Sequence, residues 1–336
     1  MKYLIFTVIH TVLLITTSWA QNSILVPIDT LEIILDTDAL YSRSDANAEY
    51  FIFQNLSTQN IHIYSFESKK QNIIQLKRGR GPNEYLQIGN IVIDDKNTIY
   101  MLDANGYKLL SLDVFGNYYE DITHEIKSLA ANIFKDEKNL YISTVFDSFL
   151  GSYYHKLIIN GNSMSTNSLH SYKSKHNEFS IENPFNFYGR VDINKHNLIH
   201  AHIYYSKFTI YPLDTTKSKI ELNYDEYIVD KEPLISNGDR VAALPPAKVL
   251  VKLKEVFIHP TNSYNVYINA EGQTKNKSYF KNMIYKYDLN KEEFSDSYDL
   301  GFTPSELMRY KNKLYVIPKF EDGIKHKGIY VYEIVD

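Results

Sequence analysis

Short apolar stretches alternate with polar turns along this chain, and the hydrophobic period is close to two, the period of a strand with one face buried. The pattern is clearest between Asn90 and Ile122. Asn90 to Asp94 carries alternating aliphatic residues, and Asp95-Lys96-Asn97 is a turn. Thr98 to Asp103 is the next strand, Asn105-Gly106 a turn, and Lys108 to Asp113 a third strand. Phe115-Gly116-Asn117 turns again before Tyr118 to Ile122. Four short strands joined by tight turns predict an antiparallel meander.

One phrase recurs: a polar turn, an aliphatic residue, usually Tyr, then a strand. It appears as Asn97-Thr98-Ile99-Tyr100, Asn139-Leu140-Tyr141, Asn265-Val266-Tyr267 and Lys313-Leu314-Tyr315. Weaker copies are Ala48-Glu49-Tyr50 and Asn197-Leu198-Ile199-His200. The spacing of about 40 to 70 residues is that of a repeat architecture. A single meander buries little apolar surface, so the copies must pack face to face. The fold class expected is all-β: a six-bladed β-propeller of four-stranded antiparallel blades. The last copy has only three strands, Glu306 to Tyr310, Leu314 to Pro318 and Ile329 to Val335. Its missing outer strand is expected from the other terminus, at Leu31 to Leu35. Val241 to Lys254, with Pro245-Pro246, is expected to be an insertion before the fifth blade with room for a short helix.

Residues 1–20 read as an export signal followed by one domain over 21–336. Lys2 supplies the positive start, Tyr3 to Ile15 the apolar run, and Ser18-Trp19-Ala20 the small residues around a cleavage point. The run is short for a membrane span, and no second one follows. The chain has no cysteine, so a lipid-modified cysteine and disulfides are both excluded. The expectation is an exported, non-lipidated protein of the periplasm, cell envelope or medium. A formal net charge of -4 argues against nucleic-acid binding, which needs positive excess. The 29 tyrosines fit strand-rich structure.

The second meander, with Asp94-Asp95, Leu102-Asp103, Leu112-Asp113 and Phe115-Gly116-Asn117, resembles NHL-type and TolB-like six-bladed propellers. Gly79-Arg80-Gly81-Pro82-Asn83-Glu84-Tyr85 resembles a Gly-x-Gly-Pro-Gly-Glu-aromatic signature in one exported branch of them, with Asn83 in place of the usual glycine. The resemblance implies a propeller in the cell envelope and brings no established catalytic residues.

Lys77 to Gly89 is predicted to cross from the outer strand of one blade to the inner strand of the next. Gly301-Phe302-Thr303-Pro304-Ser305-Glu306-Leu307 repeats its Gly-x-x-Pro-x-Glu-apolar spacing. An architectural role follows from this recurrence: Gly for the sharp exit, Pro for the path, Glu to accept hydrogen bonds from the neighbouring blade. A phosphate loop would need Gly-Lys-Ser/Thr and a helix, and both are missing.

The six arginines, Arg43, Arg78, Arg80, Arg190, Arg240 and Arg309, all fall on predicted crossovers or inner strands. Arginine suits bidentate recognition of carboxylate or phosphate. Two readings stand side by side: the arginines, with Glu84, hold an anionic ligand at the channel mouth, or they pair with Glu84, Glu306 and other carboxylates to lock blades together. His200-Ala201-His202 places two imidazoles on one strand face, a weak candidate metal pair with no third ligand. No catalytic residue and no cofactor is assigned. The function expected is a monomeric binding module for a small anionic ligand, glycan or peptide, or for an envelope protein. The alternatives are a propeller enzyme (lactonase, lyase or glycosidase-like hydrolase) and a structural component of an envelope complex.

Overall fold

The fold is that of a computed structural model, in which residues 24–35, 40–103, 108–119, 122–123, 130–136, 139–144, 154–160, 163–168, 189–203, 206–214, 216–225, 234–237, 240–243, 251–262, 264–275, 277–320, 326 and 328–335 are described. The segment read as an export signal lies outside them.

Every element among the described residues is a strand. Six antiparallel sheets follow one another along the chain. Blade 1 comprises Tyr41–Ala46, Tyr50–Asn55, Ile61–Ser65 and Gln71–Ile74; blade 2 Ile88–Ile93, Thr98–Asp103, Lys108–Asp113 and Ile122–Thr123; blade 3 Ala130–Lys135, Leu140–Thr144, Tyr154–Asn160 and Ser163–Ser168. Blade 4 comprises Gly189–Ile193, Asn197–His202, Lys207–Pro212 and Ile220–Asn223; blade 5 Val251–Ile258, Asn265–Gln273, Met283–Asp288 and Glu293–Asp299, with Ser278–Tyr279 added beside the second strand. Blade 6 takes Pro304–Tyr310, Lys313–Pro318 and Ile329–Ile334 from the end of the chain and Leu25–Leu31 from its start.

Closure by an N-terminal strand is therefore present, but the expected segment was misplaced. Leu25–Leu31 pairs with Ile329–Ile334, while residues 32–35 leave the sheet. The more polar segment is the strand because it is an outermost one, with Val26 to Asp29 facing solvent and Leu25 and Leu31 anchoring its ends. The expected insertion at Val241 to Lys254 also divides differently. Val241 lies in a hairpin, Leu234–Asn237 with Arg240–Ala243, and Val251 already begins the inner strand of blade 5; residues 244–250 lie outside the described ones.

Apolar clusters sit between blades, and this is what closes the ring. Ile52, Ile63, Ile91 and Leu110 join blades 1 and 2; Val92, Leu109, Ile133 and Ile142 join 2 and 3; Tyr141, Ile193 and Leu198 join 3 and 4. Ile199, Phe208, Val256 and Tyr285 join 4 and 5; Phe257, Ile284, Leu307 and Val316 join 5 and 6; Phe51, Phe53, Tyr315 and Ile317 join 6 and 1. Each sheet thus buries both faces against neighbours. That is why strands such as Tyr50–Asn55 are buried almost throughout instead of at alternate positions.

Candidate functional site

The first strand of each blade pairs on one side only, so its other edge faces the central channel. Such an edge presents unpaired N–H and C=O groups that need partners. Side chains from neighbouring blades supply them. An Nη1–H of Arg43 donates to the Ile88 carbonyl, Asn90 Nδ2 to the Ile133 carbonyl at 3.1 Å, Arg190 Nε to the Lys254 carbonyl at 2.9 Å, and Ser305 Oγ to the Tyr41 carbonyl at 2.8 Å.

Five of the six inner strands also carry a register shift, at Ser42/Ser44, Ile88/Ile91, Ala130/Asn132, Leu253/Glu255 and Pro304/Glu306. These lie toward the start of each strand, the end entered by the crossovers. A bulge re-aims side chains, and here it turns a ring of polar groups onto one mouth. Arg43 occupies its bulge at φ 58, a left-handed conformation that a non-glycine residue adopts at a cost of roughly 1–2 kcal/mol.

The channel is a cavity of about 1610 Å³ lined by inner-strand residues of all six blades, among them Arg43, Asn90, Asn132, Arg190, Glu255, Glu306 and Arg309. Toward the crossover end, Arg43, Arg190, Glu255 and Glu306 form one charged group. Glu306 Oε1 accepts the Arg43 backbone N–H at 3.0 Å, and Arg190 Nε lies 3.7 Å from Glu255 Oε2. Burial pushes the Glu255 carboxyl up to about 8; Arg190 opposes this and the Glu306 charge adds to it. The Glu255 charge, with a smaller contribution from Glu306, holds Arg190 above its ordinary value. Burial lowers Arg43, with Glu306 opposing and Arg190 reinforcing.

Further along the channel two straps each tie three consecutive blades together. Asp45 of blade 1 accepts Ile93 N–H of blade 2 at 2.8 Å and pairs with Lys135 of blade 3 at 2.8 Å. Asp192 of blade 4 accepts Ile258 N–H of blade 5 at 2.8 Å and pairs with Arg309 of blade 6, Nε to Oδ2 at 2.9 Å and Nη2 to Oδ1 at 3.0 Å. The two halves of the ring repeat one plan, carried by Arg43-Ser44-Asp45 in blade 1 and Arg190-Val191-Asp192 in blade 4. This Arg-x-Asp pair was readable in the sequence, yet Asp45, Lys135, Asp192 and Glu255 were not among the expected site residues.

The predicted residues thus divide. Arg43, Arg190 and Arg309 line the channel. Arg78 and Arg80 are exposed on the crossover, outside the cavity lining. The Arg240 side chain lies outside the described residues. Glu84 acts within its own loop, accepting Gly81 N–H at 2.8 Å and pairing with Lys77; these contacts hold its carboxyl below the ordinary value. A Cβ on Gly79 would fall 2.0 Å from Glu84 Oε2, so glycine is what lets the carboxylate fold in. Asn83, where the resembling signature has glycine, has φ 59. Buried Asp103 pins the end of the crossover by accepting the Leu86 and Gln87 N–H groups at 2.9 and 3.0 Å. Glu306, in the second copy of the spacing, does reach the neighbouring blade. His200 and His202 are buried with their rings stacked 4.3 Å apart, and His202 Nε2 lies 3.0 Å from Thr209 Oγ1. No group of three His, Cys, Asp or Glu able to hold a metal occurs among the described residues.

A ring of six sheets around a charged channel defines the class, a six-bladed propeller. A family described as a 6-bladed beta-propeller, DUF5128, matches residues 37–235, and the chain belongs to it. No curated protein matches by sequence. Among solved structures, a DUF4221-family protein of Bacteroides vulgatus is similar at 13% identity and TM-score 0.53, covering 94% of this chain and 96% of that one. A Bacteroides fragilis protein named as a candidate exported protein is similar at 12% identity and TM-score 0.54, covering 94% and 97%. Virginiamycin B lyase from Staphylococcus aureus is similar at 8% identity and TM-score 0.50, covering 93% and 99%. At these identities the likeness is one of fold. No helix among the described residues is long and apolar enough to cross a membrane.

Proposed function

We propose that the protein is an exported binding module that takes an anionic glycan or peptide at the crossover mouth of its channel. The observation that carries this is Arg190. Only its Nε meets an acceptor among the described residues, and its two terminal nitrogens are unspent in a side chain 42% exposed to the cavity. A guanidinium held at Nε and open at its outer edge is oriented for a bidentate carboxylate. Burial favours the neutral form of Glu255 beside it, which leaves less carboxylate charge to compete with an incoming anion for Arg190. Export rests on the Lys2 to Ala20 pattern.

The test is a titration with oligogalacturonate, a poly-glutamate peptide and a neutral oligosaccharide, for the wild type and Arg190→Gln. Binding of either anion, weakened at least about tenfold in Arg190→Gln with a melting loss of only a few degrees, is expected for a lost charge-assisted contact. Equal binding by the variant refutes the assignment. A second reading rests on Glu255: a carboxyl that keeps its proton near neutral pH beside an arginine could serve as a general acid. Turnover of oligogalacturonate, lost in Glu255→Gln while binding persists, would establish it.

A further inference from the structure

Away from the channel, blade 5 builds a box around a cation. Lys277 Nζ lies 3.5 Å from the centroid of the Phe294 ring, 4.5 Å from that of Tyr285 and 5.3 Å from that of Tyr279. The Tyr279 hydroxyl donates to Asp225, which follows the outer strand of blade 4 and sets a carboxylate beside the box. Tyr279 meets Tyr285 edge to face at 5.2 Å, and Phe294 stands edge-on to both, with centroids 5.8 and 6.1 Å away. The Tyr285 hydroxyl is engaged by the Phe280 N–H at 2.8 Å. The walls are therefore set by packing and hydrogen bonds that do not depend on the lysine.

We propose that Tyr279, Tyr285, Phe294 and Asp225 form a binding site for quaternary ammonium groups, occupied at rest by the chain's own Lys277. Three ring faces and one carboxylate are the elements that recognise such ions. The resident is a poor tenant: a primary ammonium concentrates its charge and resists desolvation. Burial accordingly lowers the Lys277 amine to about 8, with Asp225 opposing. A quaternary ammonium spreads its charge over methyl groups and has no proton to lose. Lys277 hangs from the short Thr274–Lys277 turn, closed by Thr274 N–H to the Lys277 carbonyl at 2.9 Å. The turn is closed through Lys277 backbone atoms alone, so it does not depend on where the ammonium lies.

Tetramethylammonium is the probe, with sodium chloride at equal ionic strength as the control. Ring shifts of Tyr285 and Phe294 are followed by NMR in the wild type, Lys277→Ala and Lys277→Ala/Phe294→Leu. Weak binding is expected in the wild type, tighter binding in Lys277→Ala, and a loss of about tenfold when the Phe294 ring is removed. Should Lys277→Ala fold poorly, Lys277→Gln serves in its place. No ring shift in the wild type, no gain on removing Lys277, or equal binding without Phe294 would each overturn the proposal.

Discussion

Replacing Arg309 by Met is the sharpest probe of how the ring is held shut. Arg309 and Asp192 are largely buried, with side chains 12% and 19% exposed, and the guanidinium also donates to the Ile193 carbonyl at 3.0 Å. Removing the arginine leaves Asp192 with the Ile258 N–H but no counter-charge, a change that costs about 3–5 kcal/mol for a buried pair. A fold of this length unfolds with an entropy of roughly 0.6 kcal/mol/K, so the loss should lower Tm by about 5–8 °C. Asp192→Asn combined with Arg309→Met removes both charges while the amide oxygen still accepts from Ile258. It should recover at least about 2 kcal/mol as coupling in a double-mutant cycle. Thermal melts and urea titrations of the four proteins measure this. A loss below about 1 kcal/mol for Arg309→Met, or strict additivity in the double variant, would refute the strap.

Two further outcomes follow from the same geometry. Glu255 has a folded pKa of about 8, raised above its ordinary value chiefly by burial, so the folded protein binds the extra proton between pH 4.5 and 8. Stability must then fall as pH rises through that window, and Glu255→Gln should flatten the fall in Tm between pH 5 and 8; an unchanged slope would assign the effect elsewhere. Gly189→Ala would place its Cβ 1.8 Å from His200 Nε2 and 2.6 Å from the Ala201 carbonyl oxygen, whereas Gly301→Ala meets open space at φ +76. Denaturant melts should show a loss of about 2 kcal/mol or more for the first and about 1 kcal/mol for the second, since one is steric overlap and the other only torsional.

Much of the blade plan was legible because it depends on neighbours in the chain. Thr98 to Asp103 and Lys108 to Asp113 were read with the bounds they have, since alternation and Asn/Gly turn chemistry are local. The first inner strand was harder. It runs Tyr41–Ala46, and Arg43 sits at a bulge in its interior. An arginine in the left-handed region has no local signature, because the conformation is imposed by the Glu306 contact and the Ile88 carbonyl. The lysine box was also invisible: Lys277, Tyr285 and Phe294 carry no spacing motif and meet only because blade 5 folds over them.

Taken alone, the order of residues determined the number of blades, their turns and the need for a terminal strand to complete the ring. These follow from a period of two, from turn residues, and from counting strands in the last blade. The tertiary structure decided which terminal segment closes the ring, which arginine meets which carboxylate, and where a proton is retained. Arg43 and Glu306 are 263 residues apart, and Asp192 and Arg309 are 117 apart. Contacts over such distances are set by the ring that the apolar faces assemble, and burial inside that ring gives each charge its final chemistry.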